Sequence, residues 1–445
     1  MNRTDQKVRR HHRYLSVRCK FLLAMCAASS WTAFSVWAAQ PWIADLSRWI
    51  GTLFAIWVVG GIAIVPGFMN AFLVVSLLLD RRPVHAALAH YPPISILIAA
   101  YNEAASIRET LLTIELQRYP ATMQVIVIND GSRDRTTDVV RGAQAQYPWL
   151  ELIDLSVNVG KARALNEGLR RAQHELILTV DADSLLHSRA LVNIIERYNA
   201  DPPNTRAVAG AILVRNSRHN WLTRAQEWDY FVGIAAIKRV QSLYQGTLVA
   251  QGAFSVYDRQ ALREVGGWAP CVGEDIVLTW ALLKAGYRVG HCEDAICFTN
   301  VPMTVSQFVR QRQRWARGML EAFRQHPRIL STPRLSTFFI YWNLLFPWLD
   351  AAFAFAFVPG VVFALFGYYW IVGPMTLTLI PLAGLMSAVM VSVEKKTFKQ
   401  LHLTVRRNGF GLLIYLLFYG FLLQPASVLG YLDEFLRTRK TWGTK

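Results

Sequence analysis

Cysteine is scarce in this 445-residue chain, and acidic residues are outnumbered by basic ones. The five cysteines, at 19, 26, 271, 292 and 297, form no CxxC pair and no even framework. That argues against a disulfide scaffold and against a zinc ribbon. His291, Cys292 and Cys297 stand near one another in sequence, but their spacing matches no common zinc site. They read as packing residues in a reduced compartment. No G-x-G-x-x-G occurs, which speaks against a dinucleotide-binding domain. With 30 Asp and Glu against 47 Lys and Arg, the net charge is +17. A basic chain invites nucleic acid as a partner, but no zinc, helix-turn-helix or RNP-like pattern supports one. The basic residues gather instead beside apolar runs, where anionic lipid is the expected partner.

Charge is also nearly missing from four long stretches: Phe21–Trp42, Trp49–Leu79, Phe338–Val393 and Gly409–Leu432. At about 20 residues per crossing, each is long enough to span a bilayer once, and Phe338–Val393 twice. The region between, from Pro83 to Leu330, has ordinary globular polarity. At about 250 residues it can bury a sizeable core. Three regions follow: residues 1–82 with about two spans, a soluble-type domain at 83–330, and residues 331–445 with about three spans. Arg3, Lys7, Arg9, Arg10, Arg13, Arg18 and Lys20 precede the first apolar run, and Arg81-Arg82 follow the second. By the positive-inside rule, the tail and the central domain both face the cytoplasm. Reading Phe21–Ala39 as a cleaved signal peptide leaves that placement unchanged. Near the C-terminus, Gly420–Pro425 is compatible with a break in a re-entrant segment as well as with a third crossing.

Within the central region, Ile94–Ala100, Val125–Ile128 and Leu152–Leu155 read as strands, alternating with helices at Ile107–Leu116, Asp134–Gln146 and Ala162–Ala172. Alternation of this kind predicts an α/β fold with a mostly parallel sheet flanked by helices. The apolar run Leu176–Val180 then leads into Asp181-Ala182-Asp183. Open α/β sheets bind ligands at the carboxyl ends of their strands. Carboxylates at i and i+2 of an extended strand point to opposite faces, so a turn is required for both to address one ion. Paired hard oxygens suit Mg²⁺ or Mn²⁺ held jointly with a diphosphate. Taken alone, such a pair reads as a capped turn.

Farther on, Ala190–Tyr198 reads as a helix, Ala207–Val214 as a strand, and Trp221–Val240 as an aromatic-rich helix. The aromatic face of that helix suits either core packing or sugar stacking. Glu274 and Asp275 open a helix at Ile276–Ala285, a position where carboxylates also act as caps. Thr304–Arg324 is an amphipathic helix, with Val305, Phe308, Val309, Met319 and Phe323 on its apolar stripe and Arg310, Arg314, Arg317 and Arg324 around it. That pattern fits a membrane surface. Gln311, Arg314 and Trp315 fall on one face of it.

Five segments occur in fixed order: IVINDGSRD, NVGKARALNEG, TVDAD, GED and QRQRW. Together they resemble the family-2 glycosyltransferases of GT-A fold over Pro93–Gly318. The likeness is greatest to processive membrane synthases, especially bacterial poly-β-1,6-N-acetylglucosamine synthases. The resemblance implies that Tyr101 and Glu103 flank a uridine, that Asp130 contacts its base or ribose, and that Lys161 holds the nucleotide and its phosphates. Asp181 is implied to bear on the donor sugar and diphosphate, and Asp183, with Asp181, to ligate the metal. Gly252 falls in the acceptor-side segment, Asp275 at the general base, and Glu274 beside it in support. Gln311 and Arg314 are implied to close on the diphosphate, and Trp315 to stack on the acceptor sugar. Gly273 departs from the Thr-Glu-Asp that related synthases often carry.

The resemblance implies an inverting, processive enzyme that polymerises UDP-N-acetylglucosamine at a bacterial inner membrane and exports the chain. It also implies a small membrane partner subunit and, in some bacteria, control by cyclic di-GMP. The dozen residues after the last apolar segment are too few for a separate nucleotide-sensing domain. The alternatives are a hyaluronan-, chitin- or cellulose-like synthase, a non-processive lipid-linked transferase, or a nucleotide-binding membrane scaffold or transporter.

Overall fold

A computed structural model describes residues 15–82, 85–373, 376, 379–403 and 407–438. The basic residues at 3–13, residues 404–406 and the residues from 439 onward lie outside the described residues.

Eight strands form one mixed sheet in the order β3-β2-β1-β4-β7-β6-β8-β5. The strands are β1 (Ile94–Ala100), β2 (Met123–Asp130), β3 (Leu150–Leu155), β4 (Leu176–Val180), β5 (Leu185–Leu186), β6 (Thr205–Val214), β7 (Phe254–Asp258) and β8 (Arg288–Thr299). β1, β2, β3 and β4 pair in parallel, with Ile94 opposite Met123 and Leu176, and Val125 opposite Leu150. The central residues of β1, β2 and β4 are mostly apolar on both faces, as a parallel sheet covered by helices on each side requires. Leu97, Ile126, Ile128 and Ile177 share one core with the helix Lys161–Arg171. Ile96, Ile98, Val125, Val127, Leu178 and Val180 share the other with the helices Ile107–Glu115 and Ala190–Ala200.

The direction changes beyond β4. β7 runs antiparallel to it, with Phe254 opposite Val180, and β6 is antiparallel to β7. The end of β4 and the start of β7 therefore meet at one edge of the domain. Asp181 donates its backbone N–H to Ala253 O at 3.3 Å. This junction positions the candidate site.

The aromatic helix expected at Trp221–Val240 is continuous from Trp221 to Leu243, with a widened turn at Asp229–Ala236. The helix Val305–Gln325 begins at Thr304, whose side chain accepts the Gln307 N–H. Its apolar face is taken up by protein. Phe308 packs on Tyr419, and Gly430 of the helix Gly420–Phe435 approaches so closely that a Cβ there would stand 2.5 Å from Gln313 O. Arg317 and Arg324 of the same helix pair with the buried Glu434.

Outside the sheet domain, Val17–Ala38, Thr52–Leu79 and Leu335–Leu365 are long and apolar enough to cross a membrane. A fourth candidate is the pair Gly409–Leu417 and Gly420–Phe435, bent by 51° at the break. The stretch expected to cross twice yields one such helix and a shorter apolar segment, Pro381–Val393. These helices leave Leu22, Trp37, Leu53, Phe54 and Leu365 exposed, an amount of apolar surface that calls for a partner phase.

Candidate active site

The turn demanded by the two aspartates is present. Ser184 donates its N–H back to Asp181 O at 3.0 Å, and Thr110 Oγ1 holds Ala182 O at 2.9 Å. Burial pushes the Cys297 thiol up, and Asp181 and Asp183 both add to that. Both carboxylates stand on this turn, and each stays half-buried. Two hard-oxygen donors on a tight turn fit a divalent cation.

Lys161, the first residue of its helix, faces this turn. Its ammonium donates to Asp181 Oδ1 at 2.5 Å and lies 3.7 Å from Glu274 Oε1. Burial works against that charge, but Asp181 and Glu274 outweigh it and hold the lysine above its ordinary pKa. Glu274 is buried, which pushes its carboxyl up to about 8, with Lys161 only partly opposing. Gly252 lies against the same group, and a Cβ there would stand 2.8 Å from Lys161 Nζ. Four residues expected at the site, Lys161, Asp181, Gly252 and Glu274, therefore meet around one ammonium.

Asp130 holds backbone at the end of its strand. It is buried at the end of β2, and its two carboxylate oxygens accept the backbone N–H groups of Val159 and Gly160 at 2.7 and 2.9 Å. The chain can pass this closely because Gly131 adopts a φ of +65°, where a Cβ would stand 2.5 Å from Val157 C. Asp130 thus fixes the loop that delivers Lys161. Tyr101 is exposed beyond β1, and Glu103 accepts from Ser106 Oγ at 2.5 Å. Asn102 ties this loop to the one after β2 by accepting the Arg133 N–H at 2.8 Å. Tyr101 and Glu103 therefore stand at the carboxyl end of β1, beside the loop that follows β2.

Asp275 is half-buried at the start of the helix Glu274–Lys284 and accepts the Ile276 N–H at 2.8 Å. That helix start is held by the helix Val305–Gln325. Glu321 accepts the N–H groups of Val272 and Gly273 at 2.8 and 3.0 Å. Gly273 and Gly318 touch backbone to backbone, and a Cβ on Gly273 would stand 2.5 Å from Gly318 Cα. The Gly273 departure thus accompanies a close helix crossing with no room for a side chain. Gln311 and Arg314 lie farther along the helix Val305–Gln325, buried and half-buried. Gln311 is buried, and its Oε1 lacks a hydrogen-bond partner among the described residues. Arg314 is one of the charges acting on Glu274. Trp315 is 39% exposed, with its ring 6.3 Å from that of the buried Tyr230.

Residues 92–318 match the glycosyltransferase like family 2. The chain belongs to that family. The glycosyltransferase is 34% identical to a poly-β-1,6-N-acetyl-D-glucosamine synthase of Staphylococcus epidermidis over 249 residues, 56% of this chain and 60% of that protein. It is likewise 34% identical to the synthase of the same name from Staphylococcus aureus over 226 residues, 51% and 54% of the two chains. The match thus spans between half and two-thirds of these relatives. Among solved structures, the mannosyltransferase PcManGT of Pyrobaculum calidifontis, in complex with GDP-mannose and Mn²⁺, shares the fold. Its TM-score is 0.51 at 22% identity, covering 86% of this chain and 99% of that one.

Sequence reasoning passed over Tyr230, Arg312 and Glu321. Tyr230 was grouped with residues for which core packing and sugar stacking were both open. Arg312 lies inside the QRQRW run but carried no role. Glu321 carries no local signal, because its partners are backbone groups of another helix.

Proposed function

We propose that this glycosyltransferase is an inverting, processive synthase that extends a β-1,6-linked N-acetylglucosamine polymer from UDP-N-acetylglucosamine. The observation that carries the reading is the Lys161 ammonium, clasped between Asp181 and Glu274 beside the Asp181–Asp183 turn. A buried cation next to a two-carboxylate turn suits a nucleoside diphosphate donor. Relatives bearing the name of that synthase supply the choice of sugar.

In this reading, Asp275 takes the proton of the acceptor hydroxyl. The acceptor oxygen forms its bond to the anomeric carbon as the bond to UDP breaks, and the configuration inverts. Lys161 and Arg314 offset the charge growing on the leaving diphosphate, with Gln311 beside them. A Mg²⁺ or Mn²⁺ ion held by Asp183 and Asp181 would supply further charge neutralisation for that group. Trp315 offers its open face to the acceptor sugar. Asp130, Tyr101 and Glu103 shape the nucleotide end, with Asp130 acting through the loop it holds.

The apolar helices on either side of the domain favour a multi-pass protein of the bacterial inner membrane, with residues 83–330 in the cytoplasm and the polymer exported between the helices. The partners on this reading are the donor, the growing polysaccharide and membrane lipid. A small membrane subunit, through which cyclic di-GMP acts, completes it.

The test is a donor screen on protein in membranes, reading UDP release beside digestion of the product by linkage-specific hydrolases. UDP release only with UDP-N-acetylglucosamine, and a product cut by a β-1,6-N-acetylglucosaminidase, is the expected result. A different preferred donor or linkage points to one of the other polymer synthases. No sugar transfer with any UDP-sugar overturns the reading.

A further inference from the structure

The geometry points to Arg312 as the positioning residue of Trp315, seated on Asp229 and on Tyr419 at the break of the bent C-terminal helix pair. This inference rests on the reading of Trp315 as the acceptor platform. Arg312 is buried, and its guanidinium lies 4.2 Å from the centre of the Trp315 ring. Its Nη2 pairs with Asp229 Oδ2 at 2.8 Å and donates to the Tyr419 hydroxyl at 2.9 Å. Tyr419 in turn donates to Asp229 Oδ2 at 3.0 Å, closing a triangle. Phe308, one turn earlier on the same helix, lies 4.9 Å from the guanidinium.

The three corners come from three separate elements. Arg312 belongs to the helix bearing the QRQRW run. Asp229 opens the widened turn of the aromatic helix, and Tyr419 stands between Gly409–Leu417 and Gly420–Phe435, where the pair bends by 51°. Burying a guanidinium is costly unless it is paired and hydrogen-bonded; here Nη2 is paired with Asp229 and bonded to Tyr419, while Nε is buried without a hydrogen-bond partner among the described residues. The outcome is a fixed planar cation against one part of Trp315 while the ring stays 39% exposed elsewhere. A sugar-stacking indole needs a defined ring plane, and a cation–π contact with a planar guanidinium supplies one. Lysine cannot reproduce it, because an ammonium has no plane to lay against the indole.

The experiment compares wild type, Arg312→Lys, Trp315→Ala and the double variant in membranes, with short N-acetylglucosamine oligomers as acceptors. Arg312→Lys should raise the acceptor half-saturation about fivefold, the fold-change of a lost cation–π contact, while donor half-saturation holds. Adding Arg312→Lys to Trp315→Ala should leave that variant's residual UDP release unchanged, since the ring being positioned is gone. Tyr419→Phe, which removes one hydroxyl only, should give a smaller rise of the same kind. If Trp315→Ala polymerises like wild type, the acceptor reading of Trp315 fails and this inference falls with it. If Trp315→Ala is impaired but Arg312→Lys is not, the functional reading stands and this inference is wrong. An equal loss from Arg312→Lys in both backgrounds, or a shifted donor half-saturation, assigns Arg312 to general structure and also overturns it.

Discussion

Gly252 leaves room for Lys161: a Cβ built on the glycine would stand 2.8 Å from the lysine nitrogen that donates to Asp181. The obstructing atom is the free end of a long side chain, so a methyl group there moves the lysine rather than the backbone. Gly252→Ala should therefore fold and insert normally. Displacing the ammonium by a fraction of an ångström to an ångström should lower kcat/KM for the donor by about 10- to 100-fold. Steady-state kinetics with the donor varied checks this, and unchanged kinetics would show that the lysine's position is not critical.

Asp183→Asn tests the cation site. The amide keeps the size of the carboxylate but removes a charged oxygen donor, so the turn held by Thr110 and Ser184 should survive. Turnover should be lost while membrane insertion and thermal stability stay near wild type. The paired measurement is wild-type activity in excess chelator, followed by titration of Mg²⁺ and Mn²⁺. Full activity in chelator would sink the assignment.

His85 lies in the stretch joining the N-terminal helices to the sheet domain, between Glu196 Oε2 at 2.8 Å and Asp294 Oδ2 at 2.7 Å. Burial lowers its pKa and Arg197 adds to that, but the bonds to Asp294 and Glu196 prevail and hold it above the ordinary histidine value. Tyr91 also donates to Glu196 and Cys292 to Asp294, and the Arg197 cation lies near this cluster. A pKa raised in the folded state gives stability that is full below about 6.5 and fades as pH rises through the raised value. His85→Gln should therefore cost roughly 1–3 kcal/mol at pH 6, and the gap to wild type should narrow toward alkaline pH. Thermal unfolding in detergent across that range reads the difference. A gap independent of pH would mean that the histidine is not charged there.

The pattern of what the sequence made legible follows from how local each signal is. β1, β2 and β4 are built on short runs of mostly branched apolar residues, and the Asp181–Asp183 turn follows from the geometry of an extended strand. β8 was not recognised because Glu293 and Asp294 interrupt it. Their partners, Arg82 and His85, lie some 200 residues away in the chain. β7 is only five residues long and enters the sheet antiparallel, a direction that an alternating βα pattern does not anticipate. At the site, motif residues were found by their order, yet Asp130 holds a loop and Arg312 is buried against Tyr419. Both facts depend on contacts between elements distant in sequence.

Asp275 and Trp315 separate chemistry from acceptor binding, and one pair of variants can tell them apart. Asp275→Asn keeps the side chain's size and its acceptor for the Ile276 N–H, so the helix Glu274–Lys284 should persist. A positioned base contributes about 10²–10⁴-fold in rate, and polymer formation should fall by that order. Donor binding should change little, because the proposed proton comes from the acceptor. Trp315→Ala removes the half-exposed ring while leaving Asp275, Lys161 and the two turn carboxylates in place. Water can still reach the donor in that variant. Trp315→Ala should then release UDP slowly without making polymer, and Asp275→Asn should do neither. A UDP-release assay run beside a polymer assay on both variants decides the matter. Near wild-type polymerisation by Asp275→Asn would put the base elsewhere, and polymer from Trp315→Ala would remove the acceptor from this face of the helix.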